Sequence, residues 1–355
     1  MTYAVTPCRL DEHREALERL WADNMSDQRI AEVLADRLRW LYAQGPEGPP
    51  TTMLCVVQET GEVVGCGSFV RRPLWVGGRR VMGGLLCDFA VARSHRVVGA
   101  ALAIQRALLE AAPAAGAEVL YGYPNERSQA IFKRLGYQAV GQTSTWVKPL
   151  RTARLLRGAL RWGWAAALAA GPIDLALALR DGVHRRLSAR RLQGMVPVEP
   201  GDPTDDLWAR ARDAFGVTGE RTAAFLRWRY GGFKTAEYRM VGLRAGPGPR
   251  LAGLAVYKVE GARAYLHDLL VDRGLATESA LLLALAAHLR REGADAVSLV
   301  HLGDPVVEAE LQRAGFLRRP GARSLVLHAA GLAEPLRAQL LQPHRWHMLD
   351  GELDL

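Results

Sequence analysis

Residues 91–102 read Val91-Ala92-Arg93-Ser94-His95-Arg96-Val97-Val98-Gly99-Ala100-Ala101-Leu102 and follow an apolar run at residues 85–91. The run predicts a buried strand, and the residues after Gly99 have the spacing of a helix. The first turn of a helix leaves main-chain N–H groups without partners and carries partial positive charge. Gly99 and Ala101 keep bulk away from those amides, and Arg96 adds charge. The segment therefore predicts a pyrophosphate site, with a surface helix that happens to contain a glycine as the alternative.

Alternating strand and helix patterns surround this segment in the first 150 residues. A short apolar or alternating run predicts a strand, and a 3.6-residue period predicts a helix. The turn Glu59-Thr60-Gly61-Glu62 between two such runs is typical of a hairpin. Strands are predicted at residues 3–6, 53–58, 63–70, 85–91, 119–123 and 138–147, and helices at 11–24, 27–43, 101–111 and 126–135.

The second half of the chain repeats this order. Asp88–Arg93 align with Asp268–Arg273 at an offset of 180 residues, and Phe132–Tyr137 align with Leu311–Phe316 at an offset of 179. Two landmarks at nearly the same offset indicate a duplicated fold. We therefore expect a first domain over residues 1–150, a helical connector over 151–192, and a second domain with a C-terminal tail over 193–355.

Two segments and the order of elements resemble the GNAT superfamily of acyl-CoA-dependent N-acyltransferases. Residues 91–102 are similar to that family's pyrophosphate-binding segment, and Asn125–Tyr137 are similar to its later segment ending in glycine and an aromatic residue. The resemblance covers about residues 1–150 and, in outline, about 195–330. It implies an α/β (α+β) fold with two GNAT-like domains, each a bent, mostly antiparallel sheet with a central splay flanked by helices.

The resemblance also implies a ligand and its contacts. Acetyl-CoA or another acyl-CoA would enter the splay as co-substrate, and no metal is expected. Asn125 matches the family asparagine beside the pantetheine arm, and capping of a helix at 126–135 is a compatible alternative role. The pantetheine would pair with the main chain of Phe89, Ala90 and Val91, and the pyrophosphate would lie on the amides of Arg96, Val97, Val98, Gly99, Ala100 and Ala101.

Acyl transfer to an amine needs a base at neutral pH, because an alkylammonium has a pKa of about 10. The resemblance makes Asp88 the first candidate base and His95 the second. A hydrogen-bonded structural carboxylate is the alternative for Asp88, and contact with coenzyme phosphate or solvent is the alternative for His95. The family commonly has a proton-donating tyrosine where this chain has Phe132. Tyr123, or Tyr121 on the same strand, is the candidate substitute, unless the thiolate leaves without an acid.

The second half departs from the pattern at its glycine turn. Ala276-Thr277-Glu278-Ser279 stand at the positions of Arg96–Gly99, and the Glu278 carboxylate would repel a pyrophosphate. We therefore expect no coenzyme here, and instead a stabilising role and walls for the acceptor pocket. Arg227–Tyr230 are candidates for these walls, with packing of the helix into the core as the favoured alternative. His267 and Asp268 are a candidate polar pair at the splay of the second sheet. The tail residues that could reach the cleft, with a solvated end as the alternative, are Trp346, His347, Asp350, Glu352 and Asp354.

Composition excludes several classes of protein. The chain has 355 residues, 49% of them hydrophobic and 23% charged, so it can bury more than one core. The net charge is +9, of which residues 151–200 contribute +6 with nine arginines against three acids. No basic face interleaved with aromatics accompanies this excess, so we expect no nucleic-acid partner. The four cysteines lie far apart in sequence, which argues against a disulfide scaffold or a zinc site.

The apolar part of the connector, residues 162–179, is barely long enough to span a bilayer and is interrupted by Pro172 and Asp174. A helix packed between the domains is the favoured interpretation. An in-plane anchor, with the preceding arginines toward anionic lipid, is the alternative. The N-terminus lacks the pattern of a signal peptide. We therefore expect a cytoplasmic protein, with a peripheral contact to the inner face of the membrane through 151–192 left open.

Together these features predict an N-acyltransferase that moves an acetyl or other acyl group from coenzyme A to a primary amine of a small metabolite, such as an amino sugar or amino acid, by direct transfer. Two alternatives stand beside it. The first is an acyltransferase that takes the acyl group from an acyl carrier protein, which would dock on Arg151–Arg161. The other is a non-catalytic acyl-CoA-binding or membrane-associated scaffold. The sequence does not indicate the oligomeric state of the protein.

Overall fold

A computed structural model describes residues 2–24, 30–96, 98–153, 156, 163–188, 192–233 and 236–352. The first half of the chain forms six strands and four helices. They are β1 (Tyr3–Pro7), α1 (Leu10–Asn24), α2 (Ile30–Arg37), β2 (Thr51–Val57), β3 (Val63–Val76), β4 (Arg79–Val91), α3 (Val98–Ala111), β5 (Val119–Gly122), α4 (Gln129–Arg134) and β6 (Gln138–Pro149).

The connector and the second half repeat the alternation. Their elements are α5 (Gly163–Ser188), β7 (Met195–Pro197), α6 (Asp202–Ala211), β8 (Val217–Gly219), α7 (Ala223–Gly231), β9 (Arg239–Arg244), β10 (Leu251–Glu260), β11 (Arg263–Val271), α8 (Glu278–Arg291), β12 (Ala296–Gly303), α9 (Pro305–Arg313), β13 (Leu317–His328), α10 (Glu334–Leu340) and β14 (Trp346–Leu349). The predicted α/β fold is confirmed.

The strands of both halves join into one sheet. Its order is β1-β2-β3-β4-β5-β13-β6-β12-β11-β10-β9-β7, so β13 of the second half lies between β5 and β6 of the first. Conversely, β6 lies between β13 and β12. The halves therefore exchange their last long strands, and neither completes its sheet alone. The division into domains at 1–150 and 193–355 stays a prediction. The strand exchange links the two halves through main-chain hydrogen bonds.

Each half contains a splay where two parallel strands diverge. β4 pairs with β5 only through Gly83–Leu85, although β4 continues to Val91. In the second half, β11 pairs with β12 only through Arg263–Leu266 and continues to Val271. An unpaired strand edge can accept an extended ligand or another strand. The two splays are thus equivalent places where main-chain groups are open to a partner.

The hairpin of β3 and β4 is longer than the sequence predicts. The sequence predicts that β3 ends at Val70, yet the strand runs to Val76. Arg72 is buried there because Glu352 neutralises its charge through two hydrogen bonds. Gly77 and Gly78 close the turn with φ of 54° and 85°, values that favour glycine in a two-residue hairpin.

The helix predicted over residues 27–43 is divided. α2 ends at Arg37, and a π-helical turn follows at Leu38–Ala43; residues 25–29 lie outside the described part of the chain. The π-helical turn buries Leu38, Trp40, Leu41 and Tyr42 together. A change of helical period is common at functional sites, and this turn carries two side chains that contact the centre of the molecule, Trp40 and Tyr42.

Helix α5 is attached to the second half by a buried ion network. The Lys148 ammonium donates to Asp181 at 2.9 Å, and the Arg290 guanidinium donates to the same carboxylate at 2.6 Å. The arrangement agrees with the favoured interpretation of the connector as a packed helix. Within the described residues, no helix has the length and apolarity to cross a membrane.

Candidate active site

The splay of the first half opens into a groove of about 700 Å³. Strand β4 forms one wall, and the start of α3 and the loop after β5 form the others. This volume lies in the range of ligand sites, about 300–1,000 Å³. The residues that line the groove are Asn24, Phe89, Ala90, Val91, Arg93, Arg96, Ala101, Asn125, Arg127, Ser128, Ala130, Ile131 and Arg134.

The structure brings together most of the residues predicted to bind a coenzyme. Phe89, Ala90 and Val91 line the groove along the unpaired edge of β4. Arg96, Ala101 and Asn125 also line the groove, and the Arg96 Nε donates to the main-chain oxygen of Val91 at 3.2 Å. Of the remaining predicted residues, Ala100 lies in the first turn of α3 and is buried, whereas Val97 and the side chain of Val98 lie outside the described residues.

The N-terminus of α3 is open at Gly99. A Cβ added to Gly99 would meet no atom within 4 Å, so nothing in the described chain covers this side of the first turn. Four arginines line the same groove: Arg93, Arg96, Arg127 and Arg134. Helix amides together with several arginines make a favourable environment for phosphate oxygens. The sequence motif predicted a phosphate contact for only one of these four, Arg96.

Asn125 serves the structure in the way that the alternative role predicted. Its side-chain Oδ1 accepts hydrogen bonds from the Ser128 main-chain N–H at 3.0 Å and from the Ser128 hydroxyl at 3.1 Å. These contacts hold the turn that leads into α4, which begins at Gln129. Because Asn125 also lines the groove, both roles that the sequence left open are compatible with its position.

Asp88 lies in a strained bulge of β4. Its φ is 51°, which makes it the only described residue other than glycine with a positive φ. The pairing of β3 with β4 shifts between Cys66 and Ser68, directly opposite it. Bulges and strained residues occur frequently beside active sites, where they re-aim neighbouring groups. Here the bulge sets the direction of Phe89, which lines the groove.

The carboxylate of Asp88 is held by two donors. Arg37 donates through Nε at 2.9 Å and through a terminal nitrogen at 2.6 Å, and Tyr42 donates its hydroxyl at 3.0 Å. The Asp88 side chain is fully buried. Both carboxylate oxygens of Asp88 therefore already accept hydrogen bonds from protein side chains. The contacts favour the structural alternative for Asp88 over the role of base.

Asp268 in the second half has the same pair of partners. Arg221 donates to it at 2.7 Å, and the Tyr230 hydroxyl donates at 3.0 Å. This half is the one expected to bind no coenzyme. Because the motif of aspartate, arginine and tyrosine occurs in both halves, its common purpose is to hold the strand at the splay.

His95 and Tyr123 do not meet Asp88 in one constellation. His95 is buried, and its Nδ1 lies 3.1 Å from the hydroxyl of Tyr3, so our expectation that it faces phosphate or solvent is wrong. Tyr123 follows the end of β5, and its hydroxyl donates to the sulfur of Met348 at 2.8 Å. Burial raises the pKa of Tyr123 well above its usual value, which makes it a weaker acid. Phe132 packs edge-on against Tyr137 in the core.

The equivalent splay of the second half is filled by the chain's own tail. Strand β14 pairs with β12 through Met348, and the His347 Nε2 lies 2.9 Å from the carbonyl oxygen of Leu269. The Leu269 N–H donates to the Asp268 carboxylate at 2.9 Å. Leu269 occupies the position of Phe89, so both main-chain groups that a pantetheine would use are bonded to protein.

The start of helix α8 is occupied as well. Ser279, which stands at the position of Gly99, donates its main-chain N–H to the Glu310 carboxylate at 3.1 Å. Glu278 is buried and accepts from Arg273 at 2.8 Å. One carboxylate therefore takes the place that a phosphate would have, and a second adds negative charge beside it.

The tail also links the two halves, which the sequence did not show. Glu352 is almost completely buried and accepts from Arg72 at 2.5 and 3.1 Å. Arg221 of the second half lies 3.6 Å from the same carboxylate. Glu352 thus balances one arginine from each half. Trp346, His347 and Glu352 lie in the core, whereas Asp354 lies outside the described residues.

Comparisons with known proteins agree with this geometry. The model of the acetyltransferase (GNAT) family matches residues 14–137. These residues contain β4, α3, β5 and most of the groove. They belong to the GNAT acetyltransferase family, and the chain that carries them is an acyltransferase. None of the curated proteins that were compared matches the chain.

Solved structures show the same fold over both halves. A probable N-acyltransferase from Enterococcus faecalis is 11% identical, with a TM-score of 0.62, covering 92% of this chain and 72% of that one. A GCN5-related N-acetyltransferase from Anabaena variabilis is 14% identical, with a TM-score of 0.63 and coverages of 92% and 73%. The N-myristoyltransferase of Saccharomyces cerevisiae, solved with bound myristoyl-CoA, is 12% identical, with a TM-score of 0.56 and coverages of 92% and 82%.

Proposed function

We propose that the chain transfers an acetyl or other acyl group from coenzyme A, bound in the groove of the first half, to a primary amine of a small metabolite. The observation that carries the proposal is the contrast between the two splays. The groove beside Phe89 and Gly99 is open. The matching place in the second half is filled by His347 and Glu310. One acyl-CoA per chain is the consequence.

The reaction requires no covalent intermediate on the protein, because a thioester is already activated. The amine nitrogen attacks the thioester carbon, the new C–N bond forms, and the C–S bond breaks. An ammonium substrate loses two protons in all: one must leave before attack, and the other leaves the nitrogen as the amide forms. The departing thiolate, whose free pKa is about 8.5, takes up one proton and the other goes to solvent. The protein's contribution is to position the amine and to accept the first proton.

Asp88 acts in this proposal as a positioning residue. The bound carboxylate fixes the bulge, and the bulge directs Phe89 into the groove. Tyr123 stays the candidate donor to the thiolate by position, although its raised pKa and its bond to Met348 favour departure of the thiolate without a dedicated acid. His95 has a structural role against Tyr3.

The coenzyme site can be tested by calorimetry with acetyl-CoA. Gly99→Glu places a carboxylate in open space at the helix start, so the fold should persist while affinity falls by about tenfold or more. Gly99→Gln is the matched control, because it adds the same bulk without the charge. The wild-type protein should bind one equivalent, and Glu310→Gln should leave that number unchanged. Equal affinities of the Glu and Gln variants would overturn the first-half site.

Release of free thiol from acetyl-CoA distinguishes the transferase hypothesis from the scaffold hypothesis. Incubation with acetyl-CoA and a mixture of amines should release free thiol if the protein is an enzyme. A binding protein would retain the thioester intact. Replacing acetyl-CoA by acetylated carrier protein in the same assay would reveal carrier-dependent transfer, which needs the basic connector.

The connector offers a surface for peripheral membrane contact. Leu175, Leu179 and Val183 recur every four residues along α5 and are each more than half exposed. Arginines at 154, 157 and 161 precede them in sequence and lie outside the described residues. An apolar helical stripe with neighbouring basic residues is suited to the interface of an anionic membrane. We propose that a cytoplasmic form of the protein makes this contact.

A further inference from the structure

A second cleft is lined by residues of both halves. It consists of two adjoining cavities of about 370 and 300 Å³, which share Tyr265, Arg323 and Asp350 in their walls. Its volume suits a small metabolite rather than a polypeptide. The residues that line the larger cavity are Arg37, Trp40, Arg229, Phe233, Tyr238, Lys258, Glu260, Tyr265, His267, Arg323 and Asp350.

The cleft is close to the expected position of the thioester. Arg37 lines the cleft and donates to Asp88, whose neighbour Phe89 lines the groove. On the other strand of the splay, Tyr123 lies two residues before Asn125 of the groove and donates to Met348, two residues before Asp350. Both strands at the splay therefore lead from the coenzyme groove to the cleft.

The charges in the cleft are arranged around one carboxylate. Asp350 is surrounded by the cations of Arg229, Lys258 and Arg323, whose fields act on it. The Lys258 ammonium has a partly exposed partner in Glu260 at 2.8 Å. Arg37 is engaged by Asp88. The larger cavity thus holds four cationic side chains and two carboxylates, an excess of positive charge with a single carboxylate at its centre.

Asp350 has the properties of a proton acceptor. Burial raises the pKa of Asp350, and the three neighbouring cations only partly offset this effect. A carboxylate with a raised pKa accepts a proton more readily than an ordinary aspartate. His267 also lines the cleft. Its ring is neutral because burial lowers its pKa to about 3. Neither ring nitrogen has a hydrogen-bond partner among the described residues.

We infer that this cleft binds the acyl acceptor, and that the acceptor is an amine carrying a carboxylate or phosphate group. Its ammonium lies against Asp350, which takes one proton from nitrogen before attack. Its anionic group lies against Lys258 and Arg323. The inference rests on the proposed acyl transfer and adds the acceptor's class, its site and its base. The second half and the tail then supply most of the acceptor site, and the first half supplies the acyl-donor site.

Pairs of amines that differ in one charged group test the class of acceptor. Suitable probes are glucosamine 6-phosphate against glucosamine, and alanine against alaninamide, assayed by thiol release from acetyl-CoA. We expect the anionic member of each pair to have a kcat/KM about tenfold higher or more, because a charged hydrogen-bonded contact is lost in its neutral partner. A preference for the neutral members, or for a polyamine such as spermidine, would overturn the assignment.

Variants locate that preference in the cleft. Arg323→Gln should raise KM for the anionic amines and leave the neutral ones nearly unchanged, so that the preference disappears. Asp350→Asn should lower kcat for every amine by about a hundredfold or more and remove the acidic limb of its pH profile. Glu334→Gln, at a carboxylate that is 77% exposed, is the control and should change neither quantity.

Acetyl-CoA calorimetry separates the two levels of failure. If Asp350→Asn binds acetyl-CoA like the wild-type protein but still acylates amines at the normal rate, the assignment of the cleft is wrong while the coenzyme site stands. If the wild-type protein binds no acetyl-CoA, the proposed transfer itself fails. Direct titration of glucosamine 6-phosphate into the protein, without coenzyme, should show binding that weakens in Arg323→Gln, and the absence of any such binding would count against the cleft.

Discussion

Trp40 and Trp228 stack at the junction of the two halves, with ring centroids 5.0 Å apart and planes inclined by 19°. The Trp40 indole N–H donates to the main-chain oxygen of Trp228 at 2.7 Å, and the Trp228 indole N–H donates to that of Trp40 at 2.9 Å. This reciprocal contact marks a local pseudo-two-fold relation. The π-helical turn of the first half and α7 of the second are therefore docked on one another, at the edge of the cleft between the halves.

The tryptophan pair should be energetically coupled. Trp40→Leu and Trp228→Leu should each lower the free energy of unfolding by about 3 kcal/mol or more, because each removes a buried ring and the hydrogen bond that its indole donates. The double variant should lose less than the sum, by about 1 kcal/mol, since the stacking is lost only once. Urea unfolding of the four proteins measures this coupling. Strict additivity would show that the two rings stabilise the halves independently.

The paired aspartates should respond alike to amidation. Asp88→Asn and Asp268→Asn each remove the charge from a buried carboxylate that accepts from an arginine and a tyrosine, which costs about 3 kcal/mol or more. We expect the larger loss at Asp268, because its partner Arg221 is fully buried whereas Arg37 keeps 16% of its side-chain surface exposed. Thermal unfolding measures both.

The same variants examine the role of Asp88 in catalysis. If Asp88 only positions the bulge, Asp88→Asn should keep the shape of the pH–rate profile at temperatures where it is folded. Loss of the acidic limb, with a fall in kcat of about a hundredfold or more, would restore Asp88 as the base. Asp268→Asn is the control for instability alone, since it weakens the other half.

Local patterns in the sequence were sufficient for the groove but not for the cleft. The open helix start at Gly99 and the strand before it follow from short-range spacing, and the absence of a cradle at Ser279 follows from the repeat. The role of Asp88 depends on its hydrogen-bond donors Arg37 and Tyr42, which lie 51 and 46 residues away in the sequence. No periodicity could pair them.

The C-terminal tail shows why the cleft between the halves could not be predicted from the sequence. Asp350 and Glu352 lie in a short acidic segment, and nothing in their composition distinguishes a solvated end from a buried one. Their positions depend on β14 filling the second splay, and Glu352 meets Arg72 across 280 residues of sequence. A charged pair buried at such a separation becomes visible only when the strands are assembled. The exchange of β6 and β13 was unpredictable for the same reason, because each of the two strands is compatible with either neighbour.

The exposed stripe on α5 should direct the protein to anionic membranes. Leu175→Glu with Leu179→Glu should abolish co-sedimentation with phosphatidylglycerol vesicles, because two carboxylates replace apolar area and repel the lipid headgroups. Phosphatidylcholine vesicles should bind little of either protein. Leu317→Glu, at an exposed leucine on β13, is the matched control. Wild-type protein that stays in the supernatant with phosphatidylglycerol at low salt would rule out the membrane contact.

The buried histidines should make the fold sensitive to mild acid. His301 is fully buried, neither of its ring nitrogens has a partner among the described residues, and burial lowers its pKa from 6.5 to about 4. The unfolded chain therefore binds more protons than the folded one between pH 6.5 and about 4. The free energy of unfolding must fall as pH decreases through this window, by up to about 1.4 kcal/mol per pH unit for one histidine, and level off below it.

His301→Leu isolates this contribution, since the ring has no hydrogen bond to lose and leucine has a similar volume. The variant should be about as stable as the wild-type protein near pH 7.5 and more stable at pH 5, as measured by urea midpoints. His344→Leu, at an exposed histidine, is the control and should reproduce the wild-type slope. Equal slopes for the wild-type protein and His301→Leu would mean that the imidazole is protonated as easily inside the fold as outside it. In that case the core beside His347 would have to admit water or a counter-charge.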